Sequence, residues 1–292
     1  MRLRSMLFVP GDSDRKFAKA RGIGADALIL DLEDSVAPSM KAEARAKVAA
    51  LLDDQAPRDW AFFVRVNPLD SGIMAADLAA VVKPGLDALL IPKANGAADI
   101  ACIAAELDRL ETAAGMTPGR VKIAVVATET PLALFNLGGY TPPHPRLVAL
   151  TWGAEDLAAA IGATANKEAD GSWTFPYQVA RAQCLFAAAA AEVAPIETLY
   201  ADFRDTDGLA RDCHRSRRDG FSGRLAIHPD QVATINAAFT PSAEDIAEAQ
   251  MIVDAFAAQP DAGTLGINGK MVDLPHLKAA QKTLHAAAGA PA

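Results

Sequence analysis

The chain of 292 residues has little cysteine, little aromatic character and no long apolar run. Its three cysteines, Cys102, Cys184 and Cys213, are odd in number and far apart, which argues against a disulfide framework and a zinc site. No apolar stretch reaches the about 18 residues of a membrane helix. The first apolar run, at 6–9, is also too short for a secretory signal. We therefore expect a soluble protein that fits a reducing cytoplasm and has no membrane partner.

Positive charge is also scarce, because 28 Lys and Arg stand against 36 Asp and Glu, a net charge of −8. The one cationic cluster, at 215–218, is interpreted as a solvated helix end, so we expect no nucleic-acid partner. Nucleotide-binding glycine motifs are missing as well, since residues 10–13 after the first apolar run do not form a G-x-G-x-x-G turn. This absence argues against a doubly wound open sheet.

The sequence does contain a regular alternation of apolar runs and helical patterns. Eight runs end in polar or turn residues, at 6–9, 27–32, 61–66, 88–91, 123–127, 147–150, 196–200 and 225–227. Segments with helical spacing lie between them, as at 41–52 and 100–113. Such alternation predicts βαβ units and a parallel sheet. Eight units predict a closed (β/α)8 TIM barrel, a fold of about 250 residues.

The rest of the chain predicts a C-terminal extension. We place the barrel at 1–240 and a C-terminal helix with a lid segment at 241–292. Ser242 is the predicted N-cap of that helix, with Asp245 three residues on. Beyond Gln259 the chain is a tail punctuated by Gly and Pro that could cover the barrel mouth, and its last residues, 286–292, are expected to fray. Within the barrel, 162–175 has the composition of a surface loop.

Charged and polar side chains follow the predicted strands, and in a barrel these positions converge on one face. They are Asp31, Glu33, Asp34, Arg65, Asn67, Lys93, Glu129, Glu155, Asp156, Asp202, Asp205 and His228. Among them, Glu129 and Asp156 come from adjacent strands and offer hard oxygen ligands, which suit Mg²⁺ or Mn²⁺ better than zinc. The alternative makes Glu129 a salt-bridge partner and Asp156 a helix N-terminal charge.

Arg65 is the candidate for contact with substrate oxygens. Strand alternation places Phe63 and Arg65 on one face, and an interior guanidinium must be paired. The alternative is a structural pair with Asp31 or Glu33. These two residues share one face and are expected to orient Arg65 or a metal-bound water and not to bind the metal directly. Two further candidates stay open: Lys93 as a neutralising charge in an acidic mouth, and His228 as a structural histidine.

Seven short stretches together resemble the citrate lyase β-subunit-like family, which includes malyl-CoA and citramalyl-CoA lyases. They are RSMLFVPG at 4–11, DLEDSV at 31–36, VRVN at 64–67, PK at 92–93, ETP at 129–131, GAEDL at 153–157 and AIHP at 226–229. The similarity covers nearly the whole chain. One departure is Arg224, where the family usually has lysine, and this puts only the detail of CoA contact in doubt.

The resemblance implies a (β/α)8 barrel that binds Mg²⁺, or Mn²⁺, through Glu129 and Asp156, with Arg65 on the substrate oxygens. It further implies substrate contacts at Asp31, Asn67, Gly153, Ala154 and Glu155, and CoA contacts at Arg15, Lys16 and Lys93. Asp273 matches a lid carboxylate, which we predict acts as a catalytic group together with Arg65 and Glu33 and reaches the site of a neighbouring subunit. A homo-oligomer, a trimer or a dimer of trimers, is implied.

The function that follows is a Mg²⁺-dependent carbon–carbon lyase of Claisen type. Its substrates would be a 3-hydroxyacyl-CoA such as malyl-CoA or citramalyl-CoA, cleaved to acetyl-CoA and an α-keto acid, glyoxylate or pyruvate. Three alternatives stay open: a malyl-CoA thioesterase, the β subunit of a citrate lyase complex, and a barrel scaffold without turnover.

Overall fold

A computed structural model of the chain describes residues 1–54 and 56–289. Eight parallel strands pair in chain order and close into a barrel, which confirms the predicted TIM-barrel class. The strands are β1 Ser5–Pro10, β2 Ala27–Asp31, β3 Ala61–Arg65, β4 Ala88–Ile91, β5 Lys122–Val126, β6 Leu147–Thr151, β7 Ala194–Glu197 and β8 Gly223–Ala226.

Helices follow the strands along the chain. They are α1 Asp14–Ala20, α2 Lys41–Leu51, α3 Met74–Val81, α4 Ala97–Ala113, α5 Pro131–Asn136, α6 Glu155–Ile161, α7 Phe175–Ala190, α8 Thr206–Asp219 and α9 Gln231–Phe239. The predicted loop at 162–175 separates α6 from α7, and α7 begins at its last residue. In the described ranges, no helix combines the length and the apolar character that crossing a bilayer requires.

The inward-facing residues of β2 and β3 run from the barrel core to the charged ends of the strands. Ile29 of β2 and Phe63 of β3 both belong to the buried interior cluster of the barrel. Two residues further on, the same inward faces end in Asp31 and Arg65, which are register partners across the β2–β3 pair. The interior face is therefore apolar along its length and charged at the carboxyl ends of the strands.

Strand β7 is where the predicted boundaries were furthest from those of the structure. The apolar run suggested 196–200, whereas the strand runs from Ala194 to Glu197. Pro195 lies before the apolar run and still pairs in register with Leu150 of β6, although it lacks an N–H. Beyond the strand, the Tyr200 carbonyl accepts a hydrogen bond from the Gln231 side chain instead of a neighbouring strand.

The chain divides into two compact units, Leu3–Asn236 and a second unit of Met1–Arg2 with Ala237–Ala292. In the second unit, α10 Ala243–Ala258 begins at Ser242, whose capping box with Asp245 is present as predicted. The stretch beyond Gln259 is more regular than a tail: it holds the antiparallel hairpin β9 Thr264–Ile267 and β10 Lys270–Asp273, followed by α11 Leu274–Ala287.

A sequence signal for this hairpin was available. Its turn contains Asn268 and Gly269, both with positive φ, and an Asn-Gly pair is a strong hairpin signal. Of the stretch expected to fray, 286–292, the first two residues end α11, while 290–292 lie outside the described residues.

Candidate active site

Arg65 and Asp31 form the centre of the charged rim. The Arg65 Nε and Nη2 atoms each donate to one Asp31 carboxylate oxygen at 2.7 Å, and Nη1 lies 3.0 Å from Glu33 Oε2. Burial alone would raise the pKa of Asp31, but the Arg65 hydrogen bonds and charge outweigh it and hold the pKa below its usual range. The predicted interior pairing of Arg65 is confirmed, and its partners are those of the structural alternative.

This pairing leaves some N–H donors of the Arg65 guanidinium available. Hydrogen bonds to Asp31 engage two of the N–H donors of the guanidinium, and Glu33 adds an ion pair at Nη1. The Arg65 side chain is still 14% exposed, and it lies over the Phe8 ring, with 4.7 Å from Cζ to the ring centroid. Arg65 can therefore hold its carboxylate partners and a ligand oxygen at the same time.

Lys93 links the other acidic residues of the rim. Its backbone N–H donates to Glu129 at 2.7 Å, from a left-handed conformation with φ of 51°. Its ammonium group contacts Glu33, and lies 3.2 Å from Asp34 and 3.4 Å from Asp156. The structure therefore shows Lys93 as the neutralising charge that was its open alternative, and its CoA contact stays a prediction.

Glu129 is the more deeply buried of the two predicted metal ligands and is 5% exposed. Burial raises the pKa of Glu129 to about 8, and the nearby charges of Asp156 and Glu33 add to the rise. Its position depends on Gly153, because a Cβ atom there would lie only 2.7 Å from Glu129 Cγ and 3.0 Å from Oε1. Asp156 is more open, with 35% of its side chain exposed.

This pair fits a divalent cation. The ligands are hard carboxylate oxygens, and the chain's own cations leave the charge on Glu129 only partly compensated. Gly153 provides clearance beside the Oε1 atom. Among residues 1–54 and 56–289, no group of three or more His, Cys, Asp or Glu side chains is arranged to hold a metal. An ion here would thus rely on two protein carboxylates and complete its coordination with water and substrate.

Two cavities meet at this rim. The smaller, of about 230 Å³, is lined by Glu129, Gly153, Ala154, Glu155, Asp156 and several apolar side chains. The larger, of about 700 Å³, is lined by Arg15, Lys16, Lys19 and His228 together with backbone and apolar groups of β1. Phe8, Arg65 and Leu199 line both cavities, so Arg65 stands between a compact acidic chamber and a larger cationic one.

The comparisons with known proteins agree with this arrangement. A family model described as HpcH/HpaI aldolase/citrate lyase matches residues 4–229. The chain belongs to this family. A second model, described as a C–C bond lyase of the TIM-barrel fold, matches residues 173–289. The resemblance stated from the sequence is thereby confirmed, and the chain is an enzyme of the carbon–carbon lyase class.

Three relatives illustrate the range of the HpcH/HpaI family. A (3S)-malyl-CoA thioesterase of Cereibacter sphaeroides is 35% identical over 96% of this chain and 93% of the relative. A mitochondrial citramalyl-CoA lyase of Rattus norvegicus is 32% identical over 95% of this chain and 84% of the relative. The crystal structure of CitE from Mycobacterium tuberculosis, in complex with magnesium, acetoacetate and coenzyme A, is 30% identical, covers 98% of both chains and has a TM-score of 0.76.

Of the other residues that the family resemblance indicated, Gly153, Ala154 and Glu155 line the smaller cavity, and exposed Glu155 accepts a hydrogen bond from Asn166. Asn67 does not line either cavity. It is 3% exposed and its amide is hydrogen-bonded to Leu32, Asp77 and Lys41, and its substrate contact stays a prediction. The side chain instead ties the ends of β2 and β3 to Asp77 of α3.

The cationic side of the larger cavity was predicted in part. Arg15 and Lys16 line it as expected, and Lys19 joins them. The signal for Lys19 was its position three and four residues after the other two, which places all three near one face of α1. Arg224, in contrast, does not line this cavity: it is 1% exposed and bound to Asp212 and Ser216 of α8.

The sequence analysis also missed two tryptophans of the smaller cavity, Trp152 and Trp173. Trp152 directly precedes the GAEDL stretch, so its place after β6 was the available signal.

Asp273 lies in the second unit, at the start of α11. Its carboxylate accepts the His276 backbone N–H and contacts the His276 ring, which forms a capping box. The side-chain hydrogen bond from His276 holds the pKa of Asp273 below its usual range. The predicted lid role remains a prediction.

Proposed function

We propose that the chain is a Mg²⁺-dependent lyase that cleaves, and in reverse forms, the C2–C3 bond of a 3-hydroxyacyl-CoA thioester such as malyl-CoA or citramalyl-CoA. The products would be acetyl-CoA and glyoxylate or pyruvate. The observation that carries the proposal is the meeting of the two cavities at Arg65. A small acid-lined chamber suits the α-keto acid part of such a substrate, and a larger chamber suits its long thioester part.

Glu129 and Asp156 would hold the metal, Mg²⁺ or Mn²⁺. A bound divalent cation supplies positive charge that polarises substrate oxygens. The magnesium in the CitE structure supports this assignment. Lys93 would fix Glu129 through its backbone N–H. Its ammonium group would offset the negative charges of Glu33 and Asp34, so that Asp156 can serve as the second acidic ligand.

Arg65 would stabilise the negative charge that develops on the 3-oxygen of the substrate. During cleavage the hydroxyl proton is released to solvent, the C2–C3 bond breaks, and the oxygen becomes the carbonyl of the α-keto acid. The electron pair stays on C2, which takes up a proton to become the methyl group of acetyl-CoA. Asp31 and Glu33 act as positioning residues, since they fix the plane of the guanidinium.

Recognition of the CoA part would rest on the larger cavity. Arg15, Lys16 and Lys19 supply positive charge for the phosphates. Apolar groups of β1 and the His228 ring, which stacks on Phe203 with centroids 4.4 Å apart, supply contact area. Asp273 of a neighbouring copy would carry the proton to and from C2 within a trimer or a dimer of trimers.

The proposed function is tested by condensation assays. Acetyl-CoA or propionyl-CoA is incubated with glyoxylate, pyruvate or oxaloacetate, with Mg²⁺ or with a chelator, and the hydroxyacyl-CoA product is detected by mass spectrometry. A product that forms only with metal supports the lyase. No product from any pair would contradict it.

A thioesterase is the second candidate, because the Cereibacter sphaeroides relative carries that name at 35% identity. It would use the same bound substrate but attack the thioester with water, releasing free CoA thiol. The β subunit of a citrate lyase complex would need partner proteins, and a scaffold would show no metal-dependent turnover. Simultaneous measurement of thiol and α-keto acid separates these alternatives.

A further inference from the structure

The cations at the smaller cavity are already paired with carboxylates of the chain. Among the described residues, Arg65 is the one cationic residue that lines the cavity, and it is held by Asp31 and Glu33. The nearby Lys93 ammonium group is held by Glu33, Asp34 and Asp156. The acidic lining is extensive: Asp34, Glu129, Glu155 and Asp156. The other major component of the lining is apolar: Phe8, Val126, Trp152, Trp173, Leu199 and Leu225.

The two tryptophans form a fixed wall of this cavity. Their rings pack edge to face, with centroids 5.0 Å apart and planes at 72°. Trp152 is fully buried, and its indole N–H donates to Glu197, which is itself 1% exposed. Glu197 is held in turn by Arg181 at 2.7 Å and Ser216 at 2.9 Å. The Trp152 ring is therefore held in place by its indole N–H and lies in the lining of the cavity.

Trp173 comes from the loop between α6 and α7 and closes the wall from the other side. The Lys167 ammonium group lies 4.6 Å from its ring centroid, and the Tyr177 ring 6.2 Å. Lys167 is exposed and is not one of the residues that line the cavity.

We propose that the α-keto acid accepted by this chain carries an uncharged substituent that packs against the Trp152–Trp173 wall, and that a second carboxylate is rejected. The inference rests on the proposed function. The keto-acid carboxylate and carbonyl would occupy the metal site and Arg65, which leaves the substituent facing aromatic carbon. A second carboxylate there would lose water without gaining a cation that is not already paired, and it would lie near carboxylates of like charge.

The first test compares glyoxylate, pyruvate and 2-oxobutyrate with oxaloacetate in metal-dependent condensation with acetyl-CoA. We expect kcat/KM for oxaloacetate to be about 100-fold or more below that for pyruvate. Calorimetric titration of the Mg²⁺-loaded protein with pyruvate and with oxaloacetate gives a readout that does not depend on turnover, and oxaloacetate should bind more weakly.

The second test changes the wall. Trp173→Arg adds a cation and should raise the ratio of oxaloacetate to pyruvate activity by about 10-fold or more. Trp60→Arg is the matched control, since Trp60 is a half-buried tryptophan before β3 that contacts Phe17 and Phe62 instead of the cavity. It should leave the ratio unchanged. If Trp173→Arg does not fold, the wild-type comparison still decides.

The outcomes separate this inference from the function beneath it. Equal use of oxaloacetate and pyruvate by the wild type would overturn the proposal that a second carboxylate is rejected, while the lyase assignment would stand. Carbon–carbon bond formation with none of the four acids overturns both. If folded Trp173→Arg shows the wild-type ratio of oxaloacetate to pyruvate activity, the tryptophan wall is not the cause of the selectivity.

Discussion

Arg65 donates two parallel hydrogen bonds of 2.7 Å to Asp31, its register partner on the neighbouring strand. This fork aligns the guanidinium plane, and no ammonium group can reproduce it. The first prediction follows: Arg65→Lys keeps the charge but should lower kcat about 100-fold or more.

The matched control for Arg65→Lys is Arg45→Lys. Arg45 also binds a buried carboxylate, Asp77, at 2.8 Å, and its side chain is 18% exposed against 14% for Arg65. We expect this variant to lose stability and to retain kcat. The same behaviour from Arg65→Lys, lower stability with unaltered kinetics, would make the Arg65–Asp31 pair purely structural.

The second prediction concerns the metal ligands. Glu129→Gln and Asp156→Asn should each weaken Mg²⁺ binding about 100-fold or more and abolish measurable turnover, because one of two protein carboxylates is neutralised. Glu129→Gln should melt at or above the wild-type temperature without metal, since burial disfavours the charge it removes. Calorimetric Mg²⁺ titration and thermal melts measure both effects.

Asp202→Asn serves as the control for these substitutions. Asp202 also follows a barrel strand, but it is exposed and accepts a hydrogen bond from the Arg204 backbone at 3.1 Å. Its replacement should leave Mg²⁺ affinity unaltered. Full activity of Glu129→Gln or Asp156→Asn, or wild-type activity in a chelator, would remove the metal site from the account.

The third prediction concerns the shared active site. Inactive Asp273→Ala chains mixed with inactive Glu129→Gln chains should regain part of the lyase activity after subunit exchange, because one copy supplies the lid carboxylate and the other the metal ligands. Since Asp273 also caps α11, its loss should lower the stability of that helix. Ser242→Ala removes the comparable cap of α10 and should stay active. No recovery in verified mixed oligomers would rule out action in trans.

The fourth prediction addresses the opposite end of the barrel. Glu111 and Arg146 form a buried pair, at 0% and 2% exposure. Burial would raise the pKa of Glu111, but hydrogen bonds from Arg146, Val121 and Gly119 hold it below the ordinary value of 4.5. The stabilisation is therefore present above pH 4.5 and is lost as the pH falls through the folded-state pKa.

Glu111→Gln should accordingly lower the unfolding free energy at pH 7 by about 3 kcal/mol, and the difference from wild type should shrink below pH 4.5. Denaturant titrations across this range measure it. Glu106→Gln on the same helix α4 is the control, since its pair with Arg109 is on the surface and is screened by solvent, so its loss should leave the unfolding free energy almost unaltered. A destabilisation that does not change with pH would contradict the linkage.

The sequence predicted the barrel well because its signals are local. Each buried strand is a short apolar run, and alternation alone placed Phe63 and Arg65 on the inward face. The carboxylates of Glu129 and Asp156 followed from their positions after adjacent strands, and the structure brings both to one cavity.

Other features depended on partners that are distant in sequence. Lys93 has a left-handed backbone conformation that directs its N–H to Glu129. Residues 92–93 contain no sequence signal for that conformation. Asn67 is withdrawn from the site by Lys41 and Asp77, which come from two different helices. Trp173 gains its place only when the loop before α7 packs on Trp152.

The most direct measurement of the central claim follows both possible products of one substrate. Citramalyl-CoA and malyl-CoA are each incubated with the protein and Mg²⁺, and α-keto acid, acetyl-CoA and free CoA thiol are quantified together. We expect α-keto acid and acetyl-CoA in equal amounts without free thiol, and no reaction with a chelator or with Glu129→Gln. Free thiol formed at each turnover without α-keto acid would contradict it and identify a thioesterase.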